Sequence, residues 1–498
     1  MRKGSILAPR EALDDKTRER GLVMLTREVV FSTTCDSLVG GVIVTAFALH
    51  LGASNEVIGA IAALTFWRDL LQGPAVMLVQ KVRARKAIAV VGSLVSATAP
   101  LLMLGLAFSG ASDRTRLALV AVIALYGGAS AFAGCAWSGW VRDMVPDDRR
   151  GRFFGRRSTL ATATALVAGL CSAWLLEQTP QGSADRAAAF AGLFALAFLA
   201  QLVSAAALAR VPEPMMPPPE ASAWRLIPML RQVWADEKFR SWIRFLANWK
   251  FAVNLAQPFF TVFFLTQLGF GMAFVMALSL IAQFATLLTL ARWGQLADRF
   301  KDKSVLNVAA PTFLLCIVGM IPASQFESRT LAGAYLVLLH LLMGVASAGV
   351  SLATGNMIMK ISPRGASESY LAANALISSL AAGLAPLIGG FCADFFASRE
   401  FALTLQWVGP NYQGEFARLS LRAWDFYFLL SALFGLYALH RLGMVHEEGE
   451  LMGREMLRGM HERAQQASRR LLGFGVGSSG DVEADLEAAA ETPQPQQP

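Results

Sequence analysis

The stretch "GQLADRFKDKSVL", residues 294–306, places five charged side chains within six positions. Charged residues make up only 16% of this 498-residue chain, whereas apolar residues make up 55%. Long apolar runs lie on both sides of the stretch. Because a helix satisfies its backbone hydrogen bonds internally, a run of about 20 apolar residues can cross the hydrocarbon core of a membrane. We therefore interpret the stretch as a short polar link between two membrane-spanning helices.

Apolar runs of this kind recur along the chain in two groups of six. The proline-rich segment "RVPEPMMPPPEASAWR" (residues 210–225) separates the groups. The first six predicted spans are residues 27–50, 55–80, 87–108, 116–141, 158–178 and 187–209. The other six are residues 243–268, 272–294, 304–324, 330–357, 370–396 and 421–441. The sequence thus predicts an all-α integral membrane protein with twelve transmembrane helices, which we number spans 1 to 12.

These spans divide the chain into five parts. We expect an N-terminal tail (residues 1–26), a six-helix N half (27–209), a polar linker (210–242), a six-helix C half (243–441) and a C-terminal tail (442–498). The end of the C-terminal tail is acidic and rich in Gly, Ala and Pro. This composition predicts disorder because it offers too little apolar surface to bury.

Lysine and arginine are concentrated in alternate connections between the spans. One set of connections holds dense clusters, such as those in residues 81–86, 142–157 and 292–303. The other set holds only Arg114, Arg116, Arg186, Arg329, Arg399, Arg418 and Arg422. Basic residues favour the cytoplasmic side, so we expect the first set, the linker and both tails to be cytoplasmic, in a bacterial inner membrane. The net charge of +8 therefore indicates topology and not nucleic-acid binding.

The chain lacks the signatures of an enzyme or of a cofactor site. The five cysteines fall inside predicted spans with no CxxC or metal-binding spacing, so we expect neither a disulfide nor a metal nor another cofactor. We find no HExxH, no G-x-S-x-G and no phosphate-binding GxxxxGK[ST] motif. The sequence predicts a protein that is not an enzyme and does not hydrolyse ATP.

The two groups of spans are related by an internal duplication. A shift of 217 positions maps Arg27 on Arg244, Leu51 and Gly52 on Leu268 and Gly269, Lys86 on Lys303, and Pro146 on Pro363. After one loop the shift becomes 214, which maps Gly169 on Gly383. The matches keep one order over several helices. Repeated halves related by an axis along the membrane normal are typical of transporters.

The opening stretch resembles a motif of the major facilitator superfamily, G-x-L-A-D-R-x-G-R-[RK], which that family carries between helices 2 and 3 and more loosely between helices 8 and 9. Matching residues are Gly294, Leu296, Ala297, Asp298, Arg299 and Lys303. The duplicate "MLVQKVRARKAI" (residues 77–88) keeps Arg85 and Lys86 but lacks the glycine and the aspartate. The 4/5 and 10/11 loops and "GLAPLIGG" (residues 383–390) extend the resemblance over about residues 22–442. It implies two pseudo-symmetric six-helix halves around a central cavity lined by helices 1, 4, 7 and 10.

The resemblance further implies a conformational latch at the opening stretch. Gly294 would let two helix ends approach, and Asp298 would lie near the N-terminus of span 5, where negative charge is stabilised. Arg299 and Lys303 would bind anionic lipid headgroups. The alternative is a solvated, positively charged cytoplasmic loop.

Polar side chains inside the spans are the candidate transport residues. An ionisable group in a membrane costs about 2.5 to 3.5 kcal/mol on insertion scales, so it is expected to face a cavity or a partner. Span 1 contributes Asp36, and span 2 contributes Arg68 and Asp69 on one helical face. Span 7 contributes Lys250, Asn254 and Gln257, again on one face.

Asp36 and Arg68 are predicted at similar depths, about 12 Å and about 19 Å from the cytoplasmic ends of their helices. A pair between them would couple a proton to cargo, because protonating Asp36 would release Arg68 to an anionic solute. The alternatives are a static buried pair or no contact. Lys250 is either a cation for a carboxylate in the cavity or a lysine that reaches the inner membrane surface.

These features together predict a secondary transporter that works by alternating access. We expect a monomer in contact with lipids that moves a small anionic or zwitterionic organic solute, coupled to protons. The alternative is a transporter-like receptor or assembly factor for a membrane complex. We expect no nucleic-acid partner.

Overall fold

The computed structural model describes Pro9 and residues 14–447, except residues 147–148, 181, 217–230, 232, 364–366 and 410–411. Ten of the described helical segments are long and apolar enough to cross a membrane. They are span 1 (Asp15–Val39 with Gly41–His50), span 3 (Arg85–Ala107), span 4 (Asp113–Met144), span 5 (Arg150–Glu177), span 6 (Ala184–Arg210), span 8 (Met272–Phe300), span 9 (Asp302–Val318 with the 3-10 turn Ile321–Gln325), span 10 (Arg329–Ile361), span 11 (Ser367–Phe396) and span 12 (Trp424–Gly443).

Span 2 also crosses the bundle, although it is not one continuous α-helix. Arg116 Nε donates to the Leu51 carbonyl before span 2, at 3.2 Å, and Arg85 Nη1 lies 2.5 Å from Asp143 Oδ2 after it. Arg116 and Asp143 are at opposite ends of span 4, so span 2 runs the full length of that helix. Its parts are the helix Asn55–Trp67, the 3-10 turn Arg68–Leu71 and the helix Gln72–Val82.

Span 7 (Glu237–Thr266) completes the predicted set of twelve. Its 30 residues include Lys250, Asn254 and Gln257, which lower the mean hydropathy of its apolar part. Spans 2 and 7, which fall outside the set of ten, both carry candidate polar residues in their interiors. The predicted all-α membrane fold is confirmed, and spans 2 and 7 make the described helices consistent with the predicted count of twelve.

We call the side on which spans 2, 4 and 6 end the basic side, and the opposite side the hairpin side. Helix formation on the basic side extends beyond the apolar cores. Span 1 begins at Asp15 and span 7 at Glu237, so parts of the predicted N-terminal tail (1–26) and linker (210–242) are helical. Asp236 starts span 7 by accepting hydrogen bonds from the backbone of the first turn, at 2.9 and 3.2 Å. The predicted C-terminal tail lies outside the described residues from residue 448 onward.

An antiparallel β-hairpin lies between spans 11 and 12 and was not predicted. Strand β1 (Glu400–Gly409) pairs with strand β2 (Tyr412–Arg422), with a bulge between Leu405 and Gln406. The sequence carries a short signal for it, because apolar and polar residues alternate in "LTLQ", residues 403–406. Arg422 Nε lies 3.1 Å from Glu400 Oε1 at the base of the hairpin.

The duplication is visible in the backbone. Gly52 and Gly269, which the shift of 217 positions relates, have φ angles of +67° and +65°. Only glycine adopts this left-handed conformation without a steric penalty. Each of the two glycines therefore makes the same turn before spans 2 and 8, and the repeat in the sequence is a repeat in structure.

Packing against span 12 fixes the rotation of span 7. Phe259 lies edge-on to Tyr427, with ring centroids 5.3 Å apart, and Ser431 Oγ donates to the Ala252 carbonyl at 2.8 Å. Tyr427 also donates to the Leu255 carbonyl. This face of span 7 is thus held against the C half, and its other face is directed to the centre of the molecule.

Candidate functional site

Three of the candidate residues lie at or near positions where helices of the N half depart from α-helical geometry. Span 1 breaks at Gly40 and Gly41, one turn after Asp36, and Gly41 has a φ of +54°. Span 2 changes to a 3-10 turn that begins with Arg68 and Asp69. Breaks of this kind mark functional positions in membrane helices because they leave backbone polar groups available in a cavity. The sequence indicated the residues but not the breaks.

Asp36 is bound to span 4 and not to span 2. The Tyr126 hydroxyl donates to Asp36 Oδ1, and the Cys35 sulfur lies 3.9 Å from the same hydroxyl. In the described structure, Asp36 and Arg68 do not form an ion pair. Arg68 Nε instead lies 3.8 Å from Asp69 Oδ1, and both of these side chains are about half exposed. The predicted pair is therefore absent in this conformation, because each member has a nearer partner.

Another carboxylate of span 1, Glu28, is buried and lies two helical turns from Asp36. Ser204 Oγ of span 6 donates to Glu28 Oε1 at 2.7 Å, and Arg157 Nη2 of span 5 is 3.4 Å from Glu28 Oε2. The Arg157 guanidinium also lies over the Trp137 ring, 4.3 Å from its centroid. The sequence analysis missed Glu28 because it lies at the predicted start of span 1. Its spacing of eight from Asp36 places it on nearly the same helical face.

A central cavity lies between the halves and has two lobes with volumes of about 300 Å³ and about 350 Å³. Residues of the first lobe include Phe66, Trp249, Lys250, Asn254, Gln257 and Phe313. Residues of the second include Phe66, Asp69, Lys250, Ser351, Thr354, Asn374 and Ser378. The second lobe reaches Ile358, in the last turn of span 10, so the cavity extends toward the basic side.

Lys250 lines both lobes of the cavity, and its ammonium group is not paired with a carboxylate in the described structure. Asn254 donates to the Lys250 backbone carbonyl at 2.7 Å and therefore does not engage the lysine ammonium group through that bond. An unpaired cation in a membrane is costly, so this arrangement fits an anion that arrives from outside the protein. Of the predicted candidates, the structure brings together Asp69, Lys250, Asn254 and Gln257.

Each half has a network of charged side chains on the basic side. The two networks lie at equivalent positions, but the corresponding residues have opposite charges. In the N half, Arg85 lies 2.5 Å from Asp143 and 3.4 Å from Glu213. The shift of 217 positions maps Arg85 on Asp302 and Asp143 on Lys360. In the C half, Lys360 lies 2.5 Å from Asp302 and 2.7 Å from Glu447.

Both networks also cap a helix N-terminus. Glu213, which follows span 6, accepts from the backbone N–H of Arg85 and of Lys86 at 2.7 and 3.1 Å. Glu447, which follows span 12, accepts from the backbone N–H of Lys303 at 2.8 Å. Negative charge is stabilised at a helix N-terminus, so each acid fastens the end of one half to span 3 or span 9.

Asp298 and Arg299 of the proposed latch form no ion pair across the halves among the described residues in this conformation. Asp298 and Arg299 are exposed, and Arg299 lies over the Phe300 ring at 5.0 Å. Asp298 makes no ion pair within the described residues. A Cβ added at Gly294 would meet only Leu352 of the same half, at 3.8 Å. The Lys303 side chain is 5% exposed, so it is not free to bind lipid headgroups as expected.

The halves are instead joined on the hairpin side by two equivalent contacts. Asp394, near the end of span 11, accepts from the backbone N–H of Asn55 and of Glu56 at 3.3 and 3.1 Å, at the start of span 2. Glu177, at the end of span 5, accepts from the backbone N–H of Ala273 at 3.0 Å, at the start of span 8. Each carboxylate caps a helix of the other half, and together they close this side.

Glycines allow the two halves to meet closely on the hairpin side. A Cβ at Gly59 would lie 2.2 Å from the Pro386 carbonyl oxygen, and one at Gly390 would lie 2.5 Å from the Asn55 carbonyl oxygen. Both obstacles are backbone atoms, which cannot move aside. Spans 2 and 11 are therefore in contact only because these positions lack side chains.

Removing the two capping carboxylates, by Glu177→Ala with Asp394→Ala, is expected to open the hairpin side. Each cap contributes about 0.5 to 2 kcal/mol, so the closed state should lose about 1 to 4 kcal/mol. The measurement is labelling of a cysteine at Gln257 by an impermeant thiol reagent from the hairpin side, in a chain whose five native cysteines are replaced.

Asp113→Ala is the matched control, since Asp113 is 91% exposed on the same side and pairs with Arg116 of its own half at 2.9 Å. It should leave the labelling unchanged. Equal labelling in the double variant and in the control would show that the caps do not hold the halves together.

No group of three or more His, Cys, Asp or Glu residues in the described part of the chain is arranged to hold a metal ion.

Comparison with known proteins gives a consistent family and fold. A family model described as Major Facilitator Superfamily matches residues 29–386. No curated protein matches the sequence. Solved structures with the same fold include a variant of the nucleoside transporter NupG, with a TM-score of 0.65 and 12% identity over 86% of this chain and 100% of that chain.

Two further structures have inward-facing conformations. A bacterial homologue of the iron transporter ferroportin has a TM-score of 0.63 and 13% identity, covering 86% of this chain and 98% of that chain. The second is a bacterial homologue of the human lysosomal transporter Spinster in an unoccupied conformation. It has a TM-score of 0.58 and 18% identity, covering 77% of this chain and 84% of that chain. Identities this low show a common fold alone.

Proposed function

The chain belongs to the major facilitator superfamily of secondary transporters, and on that premise we propose that it moves a small organic anion or zwitterion in exchange for, or together with, protons. The observation that carries the proposal is the Lys250 side chain, which lines both lobes of a cavity between the halves and has no carboxylate partner in the part of the chain that the structure describes. A carboxylate or similar group of the cargo would supply the missing negative charge.

Proton coupling is assigned to Asp36. Its carboxylate accepts the Tyr126 hydroxyl next to the break in span 1, so it is held in place while it gains or loses a proton. The carboxylate is the acceptor in that bond in its ionised form and in its neutral form. Arg68 and Asp69 lie at the break in span 2 and would respond to the change of charge on Asp36. Gln257 and Asn254 would orient the cargo next to Lys250.

Alternating access is proposed as a rocking of the two halves around this cavity. Contacts on the hairpin side and a cavity that extends toward the basic side fit one end state of such a cycle. In the other end state the basic side would close, and the latch residues Gly294, Asp298, Arg299 and Lys303 would contact span 5. The exposure of Asp298 in the present conformation is what this cycle requires of an open latch.

Asp298→Asn is expected to weaken closure of the basic side without destabilising the fold. Asp298 is exposed here, so its charge contributes only in the other state, by about 0.3 to 1 kcal/mol near a helix N-terminus. Labelling of a cysteine at Gln257 from the basic side should therefore rise by about 1.7- to 5-fold.

The melting temperature of the Asp298→Asn variant should not change. Asp15→Asn is the matched control on the same side, because Asp15 is fully exposed and pairs only at 3.7 Å with Arg18 in the described structure. Unchanged labelling in Asp298→Asn would contradict the latch and would support the alternative, in which the loop is only a solvated connection.

The membrane placement follows from the charge distribution. We propose that the basic side is cytoplasmic, that both termini lie there, and that the protein is a monomer of a bacterial inner membrane. The excess of Lys and Arg on one set of connections supports this orientation, since anionic lipids and the insertion machinery retain basic residues on that side.

The transport function is tested in sealed proteoliposomes that contain a pH-sensitive dye. Addition of a transported organic anion or zwitterion should move protons across the membrane, and an imposed pH gradient should drive accumulation of the solute. The alternative function, a transporter-like receptor or assembly factor, predicts no solute flux and no proton flux in this assay for any member of a broad solute panel.

A further inference from the structure

The charges that line the central cavity are unequal. Asp69 is the acid in the lining, and it is already paired with Arg68 at 3.8 Å. Lys250 has no such partner among the described residues. The pairing leaves one positive charge uncompensated, and a ligand with one negative charge would balance it. A zwitterion would bring an ammonium group for which the lining offers no free carboxylate.

Aromatic side chains line the same lobes as this cation. Phe66 of span 2 lines both lobes, as Lys250 does, and it belongs to the opposite half. Trp249 and Phe313 line the first lobe, with ring centroids 5.9 Å apart. Aromatic faces bind planar apolar groups by burial and offset stacking. The cavity thus presents a cation and an aromatic surface to the same ligand.

The polar groups around the cation suit a carboxylate better than a phosphate. Thr354 Oγ1 already donates to the Val350 carbonyl at 2.7 Å, and Asn374 Oδ1 accepts from Trp242 Nε1 at 3.2 Å. The Ser378 hydroxyl is buried and has no hydrogen-bond partner in the described structure. A phosphate carries more charge and is bound by arginine forks or several cations. One lysine with hydroxyl and amide groups matches a monocarboxylate.

From these observations we infer that the cavity binds a small aromatic monocarboxylate, with its carboxylate on Lys250 and its ring against Phe66. The lobes, of about 300 and 350 Å³, are at the lower end of ligand pockets and suit a molecule with one ring. The inference rests on the proposed function in one respect, which is that this cavity is the transport site. It selects the anion from the two cargo classes proposed above.

The test is ligand binding to the purified full chain at pH 7.5, with benzoate as the probe. Benzoate should raise the melting temperature and quench the fluorescence of Trp249, and Trp249→Phe identifies that signal among the 11 tryptophans. Acetate tests the need for a ring, benzylamine and phenylalanine test the charge, and phenyl phosphate tests the dianion. Each of these probes should bind at least about 10-fold more weakly than benzoate.

Substitutions of Lys250 distinguish the contribution of its charge to benzoate binding from the contribution of its side-chain packing. Lys250→Met should weaken benzoate binding by roughly 10- to 100-fold, and Lys250→Arg should restore most of it, because a hydrogen bond to a charged group is lost in one case and kept in the other. Phenylalanine or phenyl phosphate binding as tightly as benzoate, or full affinity in Lys250→Met, would overturn the inference.

The two proposals fail in different ways. Proton-coupled flux of a zwitterion or of a dianion, with no benzoate binding, would keep the transport function and reject the aromatic monocarboxylate. Benzoate binding that depends on Lys250, with no flux of any solute in proteoliposomes, would keep the binding site and reject transport.

Discussion

Asp36→Asn is expected to abolish accumulation of solute by a pH gradient while leaving the exchange of solute across the membrane. Asparagine keeps an oxygen that accepts the Tyr126 hydroxyl, so the geometry beside the break in span 1 is retained. It cannot bind a proton. A transporter coupled to one proton can sustain about 10-fold accumulation for each pH unit of gradient, and the variant should sustain none. Uptake under an imposed gradient and counterflow without one, in the same proteoliposomes, measure the two properties.

Two further variants test whether the loss of accumulation is specific to the Asp36 carboxylate. Tyr126→Phe removes the hydrogen bond but keeps the carboxylate, so accumulation should persist in it. Glu28→Gln neutralises the buried carboxylate of span 1, which Ser204 and Arg157 contact at 2.7 and 3.4 Å. Accumulation that survives in Asp36→Asn but disappears in Glu28→Gln would move the coupling role to Glu28.

Arg85→Met is expected to lower stability by about 3 to 5 kcal/mol, because it leaves the buried Glu213 carboxylate without its cation. The Glu213 side chain is fully buried and that of Arg85 is 4% exposed. Arg85 also donates to the carbonyls of Gly139 and Pro214, at 2.9 and 3.2 Å, so its loss opens several contacts at once. The melting temperature of the detergent-solubilised protein, followed by tryptophan fluorescence, measures the effect.

The destabilisation should depend on pH. Burial raises the pKa of Glu213 above its ordinary value, although its bonds to Arg85 and Lys86 oppose the shift. An acid with a raised pKa in the folded state stabilises the fold below its ordinary pKa and loses that contribution as the pH rises through the folded value. Without Arg85 the shift should increase. The deficit of Arg85→Met should therefore be largest at neutral and alkaline pH and smaller near pH 5.

A second substitution and a control make this prediction specific. Adding Glu213→Gln to Arg85→Met removes the uncompensated charge and should recover most of the lost stability. Arg18→Met should change stability by no more than about 1 kcal/mol, since Arg18 pairs at 3.7 Å with a fully exposed Asp15. An Arg85→Met protein that is as stable as this control, or whose deficit does not respond to Glu213→Gln, would contradict the role of the buried pair.

Much of the architecture could be predicted from the sequence. The membrane-spanning helical fold and the order of the spans follow from the lengths of the apolar runs, because the hydrocarbon layer admits only helices of that length. The duplication was visible as a fixed shift, and Gly52 and Gly269 make the same turn in both halves. Asp69, Lys250, Asn254 and Gln257 were placed in the cavity because a polar face on an apolar helix has few other places to go.

The partners of those residues could not be predicted. Depth along the helix suggested Arg68 as the partner of Asp36, but the hydroxyl of Tyr126, 90 positions away, is its partner in the structure. Glu28, Glu177 and Glu213 escaped notice because they lie near the ends of apolar runs, where a carboxylate is usually solvated. The hairpin at residues 400–422 was missed because only the apolar runs were searched.

The sequence by itself determined which segments cross the membrane, their order and the duplication of the halves, since hydropathy and length are local properties of a helix. The tertiary structure alone decided which side chains meet, where spans 1 and 2 break, and which side of the molecule is closed. Those features depend on how each helix is rotated and packed against its neighbours, and on which arrangement of the two halves is populated. Neither the rotation nor the arrangement is encoded in the hydropathy of any one span.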